Sequence, residues 1–270
     1  MLLDDLPGML AVMKVYVDRG AREDTADGVM CVAATVFKPV PYKRFVRHWN
    51  RMLAEWKAPA FHATDFYPGA PGPFARASQD AKDRFQRDCR EIPVLIGEHT
   101  EQIIATSFLR SEYDRAAPDQ WKQKYGDNLH SLAVQMCMIA IGHWARGRRY
   151  FGGFSYVVES GDKSEGHVST TVANMRADQN LGPHIQCESY TVVAKGHARG
   201  LEAADMVAWH WNKCYVDHLS KPESERRDVR KDFSELVRIS EDKIHLYFPS
   251  GEKLRYFLSL DPSITGAGLH

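Results

Sequence analysis

The sequence lacks an excess of charge of either sign, because 35 Lys and Arg residues balance 35 Asp and Glu residues. A neutral chain has no overall electrostatic attraction for nucleic acid or for an anionic membrane, although a local basic patch can still bind a polyanion. The sequence also lacks an apolar run long enough to span a bilayer, and its acidic N-terminal stretch does not resemble a secretory signal. These absences predict a cytoplasmic protein that does not bind membranes.

Paired cysteines and the common short catalytic motifs are absent as well. The five cysteines lie far apart and include no CxxC pair, which argues against a zinc ribbon or a thioredoxin-type site. An odd number of cysteines is typical of a reducing compartment. The sequence contains no GxGxxG, GxxxxGK[ST], GxSxG or HExxH. Function must therefore be sought in residues that are dispersed along the chain.

Apolar runs and helical spacing predict an α/β fold, in which one mixed β-sheet is flanked by helices. Strands are predicted over residues 9–17, 29–37, 92–96, 102–108, 154–158 and 185–194, the first two as a hairpin with a long connection. Helices are predicted over residues 42–56, 78–89, 129–146, 168–176 and 201–219, with Ser78 as an N-cap. The domain is expected to cover residues 1–219, and residues 220–270 are expected to form a helical C-terminal extension packed on it.

Acidic residues follow two of the predicted strands directly. Asp18 ends the first strand and Glu159 ends the strand over residues 154–158, with Asp162 three residues further on. In an open α/β sheet, ligands gather outside the carboxyl ends of the strands. The alternative is that these acids form ordinary turns, where Asp is common. Glu159 and Asp162 both remain candidates for the middle position, and Glu159 is preferred because it ends its strand directly.

A third acid, Asp205, lies inside an otherwise apolar helical segment, where a charge is either paired or functional. Glu202 shares its helix face at i,i+3, so the two carboxylates repel each other unless a cation or a basic side chain is present. Clustered carboxylates are typical ligands of Mg²⁺ or Mn²⁺. Two such ions, about 3.5–4 Å apart, can clamp an in-line phosphoryl displacement. The pattern therefore indicates metal-dependent phosphodiester hydrolysis.

Two further segments carry candidate functional residues. His62 and Asp65 in PAFHATDF are suited to ligand binding or proton transfer, and the alternative for His62 is a helix cap or a loop hydrogen bond. Lys195, His197 and Arg199 alternate with small residues just before the helix of Asp205, which would let a phosphate approach closely. The alternative for that stretch is a solvated turn between a strand and a helix.

Taken together and in order, four segments resemble a bacterial family known as domain of unknown function 3800, which is ribonuclease H-like. The matching segments are VYVD at 15–18, FHATD at 61–65, YVVESGD at 156–162 and LEAADMVAW at 201–209. The resemblance implies a ribonuclease H-like sheet with a carboxylate site. The chain departs from the family pattern at Arg19-Gly20, where Glu-Ser-Gly is usual, at Glu202, where Gln is usual, and at Glu159, where Asp is expected.

The first hypothesis is a nuclease that depends on a divalent metal. Asp18, Glu159 or Asp162, and Asp205 would bind one or two Mg²⁺ or Mn²⁺ ions, and His62 would orient the substrate or assist proton transfer. Lys195, His197 and Arg199 would contact phosphate groups.

The second hypothesis is a non-catalytic ribonuclease H-like module that binds nucleic acid, a partner protein or a second copy of the chain. It predicts that the three carboxyl groups lie too far apart to share an ion. A role in a defence or mobile-element system is a third hypothesis, which follows only from analogy with the uses of such folds.

Overall fold

Six strands form one sheet in the computed structural model, which describes residues 12–20, 28–66, 78–119, 122, 128–160, 165–194, 196–226 and 229–248. The strands are β1 (Met13–Arg19), β2 (Val29–Phe37), β3 (Gln102–Leu109), β4 (Phe154–Glu159), β5 (Cys187–Val193) and β6 (Ile244–Tyr247). Their order across the sheet is β5-β4-β1-β2-β3-β6. The expected mixed sheet of an α/β protein is therefore confirmed.

Strand direction divides the sheet into two parts. Strands β1, β2 and β3 form an antiparallel meander, in which Asp18 pairs with Ala33, so the predicted hairpin is confirmed. Strands β4 and β5 continue the sheet beside β1 and run parallel to it, and β6 runs parallel to β3. The carboxyl ends of β1, β4 and β5 consequently lie at the same edge of the sheet.

Helices cover both faces of the sheet. They are α1 (Pro39–Glu55), α2 (Ala63–Phe66), α3 (Gln79–Asp88), α4 (Glu91–His99), α5 (Arg110–Ala116), α6 (Leu129–Gly147), α7 (Glu165–Ala177), α8 (Leu181–Ile185), α9 (Arg199–Ser220) and α10 (Lys231–Ile239). Ser78 caps α3 as predicted, and its side chain accepts a hydrogen bond from the backbone N–H of Ala81. No helix in the part of the chain that the structure describes is long and apolar enough to cross a bilayer.

Two hydrophobic cores lie on opposite faces of the sheet. Val15 and Val17 belong to the core beneath α6, whereas Tyr16 belongs to the core beneath α1 and α9. Because side chains alternate between the faces of a strand, Asp18 follows Tyr16 on the face covered by α9. Asp18 is only 5% exposed there. The alternation along β1 thus directs this acid toward the helix that carries Asp205.

The predicted strand over residues 92–96 is wrong, because this segment is part of helix α4. Its β-branched composition favours a strand, but Ile92, Leu95 and Ile96 also fit helical spacing and are buried. Pro93 lies in the first turn, where its missing N–H breaks no helical hydrogen bond. The packing of α4 against α10 favours the helix over the strand. The two helices lie so close together that a Cβ on Gly97 would be 2.8 Å from the side chain of Ile239.

Two other boundaries also differ from the predictions. Ile185, predicted to begin a strand, is the last residue of α8, and Gln186 ends that helix with a left-handed φ of 50° before β5 begins. The C-terminal extension contains the expected helix α10, but it also supplies β6, which pairs with β3. The sheet thus extends past residue 219. The rest of the predicted extension, from residue 249, lies outside the described residues.

Glycines allow helix α9 to lie unusually close to β1. A Cβ on Gly200 would lie 2.1 Å from the ring of Tyr16, and a Cβ on Gly20 would lie 2.2 Å from the carbonyl oxygen of Ala208. Two side chains of β2 donate hydrogen bonds to the helix at the same two residues, Gly200 and Ala208. Thr35 Oγ1 donates to the carbonyl of Gly200 at 3.2 Å, and Cys31 Sγ donates to that of Ala208 at 3.3 Å. Helix α9 therefore runs along β1 over two turns.

Candidate active site

The register of the parallel strands brings Asp18 and Glu159 to neighbouring positions. Val17 pairs with Val158, so Asp18 and Glu159 are the next residues of their strands. Val157 packs in the same core as Tyr16, which places Glu159 on the same face as Asp18. Asp18 Oδ1 also accepts a hydrogen bond from the backbone N–H of Arg19 at 2.7 Å. The structure thus brings two of the predicted acids together at the carboxyl edge of the sheet.

The close packing of α9 on β1 brings Asp205 to the same region. Asp18 lies midway between Tyr16 and Gly20, and these two residues contact α9 at Gly200 and Ala208. Asp18 therefore lies beside the helical turn that contains Asp205. Asp205 is 4% exposed, so both of these acids are buried.

Asp205 contacts the segment that precedes α2. Its Oδ2 accepts a hydrogen bond from the backbone N–H of Ala63 at 2.7 Å and lies 2.9 Å from Nδ1 of His62. The His62 side chain is 29% exposed, whereas that of Asp205 is 6% exposed. When Nδ1–H donates to the carboxylate, Nε2 carries the lone pair of the imidazole and is able to accept a proton or bind a ligand. Asp205 therefore orients His62, a pairing that sequence reasoning did not foresee.

Glu202, one turn before Asp205, has different partners. Its carboxylate accepts hydrogen bonds from Trp49 Nε1 at 2.5 Å and from the backbone N–H of Phe61 at 3.1 Å, and it forms an ion pair with Arg199. Burial nevertheless raises the pKa of the Glu202 carboxyl, although Trp49, Arg199 and Phe61 all favour its charged form. The basic partner that this acid was expected to require is thus Arg199, at i−3.

Arg199 has several intramolecular contacts. Its guanidinium donates to Asn50 Oδ1 at 2.7 Å and to the carbonyl of Pro59 at 3.2 Å, in addition to Glu202. It therefore ties the start of α9 to α1 and to the loop that follows α1. The Arg199-x-x-Glu202 spacing, typical of an ion pair on a helix, was the sequence signal for this contact. Phosphate binding by Arg199 remains a prediction.

The remaining candidate residues are placed as follows. His197 is exposed in the turn before α9, and its backbone N–H donates to the carbonyl of Ala194 at 3.1 Å. Asp162 and Lys195 lie outside the described residues, so the choice between Glu159 and Asp162 remains open. Within the described ranges, no three or more His, Cys, Asp or Glu side chains form a group able to hold a metal.

In comparisons with known proteins, no family model and no curated protein matches this chain.

Proposed function

We propose that this chain is a ribonuclease H-like phosphodiesterase that cleaves nucleic acid with the help of a divalent metal. The observation that carries the proposal is the position of Asp18 and Glu159 at adjacent strand ends, on the face covered by the helix of Asp205. Ligand sites of open α/β sheets form at such carboxyl edges. Two acids that are dispersed in the sequence, Asp18 and Glu159, are thereby neighbours in the fold.

The sheet topology supports the ribonuclease H-like part of the proposal. In a ribonuclease H-like domain, an antiparallel meander is extended by parallel strands on the side of its first strand. The order β5-β4-β1-β2-β3 has this arrangement, with β4 and β5 parallel to β1. The additional strand β6 lies beside β3, at the far side from β4 and the candidate site.

The donor set suits Mg²⁺ or Mn²⁺. Mg²⁺ in proteins is commonly bound by one or two carboxylates together with substrate phosphate oxygens and water, rather than by a complete cage of side chains. Asp18 and Glu159 would hold such an ion, since their strands end side by side at this edge of the sheet. Bound there, the ion would neutralise phosphate charge and activate water.

His62 would act next to this ion site. Asp205 holds the ring through Nδ1, so Nε2 is the atom that would transfer a proton during hydrolysis. Because the His62 side chain is partly exposed and the Asp205 carboxylate is buried, the ring is the member of the pair that substrate can reach. Asp205 would then act mainly as the group that orients His62.

A non-catalytic module is the second candidate, and one observation favours it. Asp205 Oδ2 already interacts with an N–H group and with an imidazole, so this oxygen has a structural role without any metal. In this alternative, the acids maintain the packing of α9 on the sheet, and the chain binds nucleic acid or a protein without cleaving it.

The test is a cleavage assay with purified protein, Mg²⁺ or Mn²⁺, and end-labelled single-stranded DNA, duplex DNA, single-stranded RNA and an RNA–DNA hybrid. We expect metal-dependent cleavage of at least one substrate and a loss of at least ~100-fold in Asp18→Asn and Glu159→Gln. Glu188→Gln is the matched control, because Glu188 is exposed on β5 at the opposite end of the parallel strands. No cleavage of any substrate by the wild-type protein, or full activity in Asp18→Asn, would refute the proposal.

A further inference from the structure

A cleft of about 630 Å³ follows the C-terminal half of α9. Its lining includes aromatic residues of α9 between Trp209 and Tyr215, the stretch Val229–Arg230 before α10, and Phe248 after β6. Trp209 follows Asp205 by four residues and therefore lies on the same side of the helix, roughly 6 Å further along its axis. The cleft thus begins about one helical turn from the proposed active site.

The cleft presents several aromatic rings. Phe248 is 49% exposed, and its ring centroid lies 5.9 Å from that of Trp211 and 6.0 Å from that of Tyr215. Trp209 is also partly exposed, and its ring makes an edge contact with His210 at 4.9 Å. Large rings that remain partly exposed at a cleft are typical stacking surfaces for planar ligands.

Cations lie close to Trp209 and line the same cleft. Lys213 Nζ lies 5.9 Å and Arg230 Cζ lies 5.7 Å from the ring centroid of Trp209, and Arg226 also lines the cleft. Among the described residues of the lining, one carboxylate, that of Asp217, stands against these three cations, which gives two net positive charges with the histidines neutral. Arg230 is partly compensated by Asp232, at 3.4 Å. This local excess contrasts with the neutral chain, and it favours an anionic ligand.

We infer that the cleft binds single-stranded nucleic acid, with bases stacked on Trp209 and the neighbouring rings and phosphates next to Lys213, Arg226 and Arg230. Stacking suits any base, because every base has a π-face, and the cations neutralise the backbone. Paired bases in a duplex do not expose their faces, so the aromatic lining favours a single strand. This binding does not require that the carboxylate site be catalytic.

The alternative occupant is an acidic segment of a partner protein. Such a ligand would use the three cations, but it would gain little from Trp209, Trp211 and Phe248, unless it also carried apolar side chains. Nucleic acid accounts for both features of the lining, whereas an acidic peptide accounts for one of them. Dependence of binding on the ring of Trp209 therefore separates the two occupants.

The test is fluorescence anisotropy with labelled oligo(dT) and oligo(U) of twelve nucleotides, in EDTA so that metal-dependent cleavage cannot interfere. We expect both oligonucleotides to bind more tightly than a duplex of the same length, and we expect affinity to fall as salt rises. Trp209→Ala should weaken binding roughly 5- to 100-fold, as expected for the loss of one stacking platform. A poly-glutamate peptide should compete only weakly.

The contribution of the cations to binding is tested with a second variant. The double variant Lys213→Gln/Arg226→Gln changes two exposed side chains, and it should reduce the slope of log affinity against log salt by about 1.4. Phe151→Ala and Arg87→Gln are the matched controls for an exposed ring and an exposed cation outside the cleft, and they should bind as the wild type does.

Unchanged binding in both Trp209→Ala and the charge variant would overturn the inference, as would failure of the wild-type protein to bind either oligonucleotide. Binding of poly-glutamate as tight as that of the oligonucleotides, and unaffected by Trp209→Ala, would assign the cleft to an acidic protein. A third outcome separates this inference from the proposed function. If the wild type and Asp18→Asn bind the oligonucleotides equally well, and neither cleaves them in Mg²⁺, the proposed function is refuted but this inference stands.

Discussion

Glu202 and Asp205 lie one turn apart on α9, and both are buried, yet their surroundings differ. Glu202 is enclosed by Trp49, Phe61 and Arg199, and its charge is balanced by an ion pair. Asp205 contacts a backbone N–H and the partly exposed ring of His62.

The difference shows that two buried acids on one helix can have different roles. Glu202 holds the helix in place, whereas we propose that Asp205 orients a catalytic side chain. The contacts of Glu202 tie the start of α9 to α1 and to the loop after it, and both of its carboxylate oxygens have partners there. The contact of Asp205 is instead with the imidazole of His62, whose side chain is 29% exposed. Burial of an acid is thus a poor guide to function unless its partners are known.

The largest expected effect is a loss of cleavage activity when Asp205 is changed. Asp205→Asn retains an acceptor for the N–H of Ala63 but no longer stabilises a charged His62, so cleavage should fall roughly 100- to 10,000-fold. The free energy of unfolding should change by less than ~2 kcal/mol. Single-turnover cleavage and urea unfolding measure the two quantities. If activity survives in Asp205→Asn, the assignment of the His62 pair to catalysis is wrong.

Glu202→Ala should have the opposite profile. Removing the carboxylate leaves Arg199 without its ion-pair partner and leaves two N–H donors unsatisfied, so we expect a destabilisation of about 3–5 kcal/mol. Urea unfolding followed by circular dichroism measures this change. The double variant Glu202→Ala/Arg199→Ala should be more stable than Glu202→Ala alone, because the unpaired cation is removed with its partner. A destabilisation under 1 kcal/mol would mean that the two acids do not differ as described.

A smaller loss is expected when the spacing between β1 and α9 is widened. The Cβ of Gly20→Ala would lie 2.2 Å from the backbone oxygen of Ala208, which cannot rotate away. We expect destabilisation of ~1–3 kcal/mol and an additional loss of activity, because Asp18 moves relative to Asp205. Gly166→Ala is the control, since its Cβ would have no atom within 4 Å and α7 should become slightly more stable. Equal stability changes in both variants would contradict the close packing.

The smallest expected effect is a change in stability with pH, which depends on His210, another titratable residue of α9. Burial lowers the pKa of His210 below its ordinary value of 6.5, although Asp232 opposes this shift. The unfolded chain therefore takes up this proton first as pH falls below 6.5, and the folded state loses stability across that window. Urea midpoints at pH 7.5 and 5.5 should differ more in the wild type than in His210→Gln. His167→Gln, at an exposed position, should behave as the wild type does.

Much of the fold could be predicted from the sequence, because its signals are local. The run over residues 29–37 predicted β2 at its observed bounds, and the apolar stripe of α6 and the cap at Ser78 were also informative. Helix α4 could not be predicted, because a short aliphatic run is consistent with both periods until its packing against α10 is known. Strand β6 was missed for a related reason, since it exists only through its pairing with β3.

The candidate site was only partly predictable. The acids could be identified from their places at strand ends and inside an apolar helix, but their partners could not. The contact between His62 and Asp205 joins residues 143 positions apart, and no local pattern indicates it. Glycine at position 20, two residues after Asp18, also has a physical reason that only the tertiary structure provides, because α9 leaves no space there for a side chain.

The most direct test of the account is Mn²⁺ binding to the folded protein, measured by isothermal titration calorimetry with and without a short single-stranded oligonucleotide. We expect one or two sites in the wild type and in Glu202→Gln. We expect these sites to be lost in the double variant Asp18→Asn/Glu159→Gln, which should retain the folded circular dichroism spectrum. Equal Mn²⁺ affinity in the wild type and the double variant, or no binding by the wild type under either condition, would contradict it.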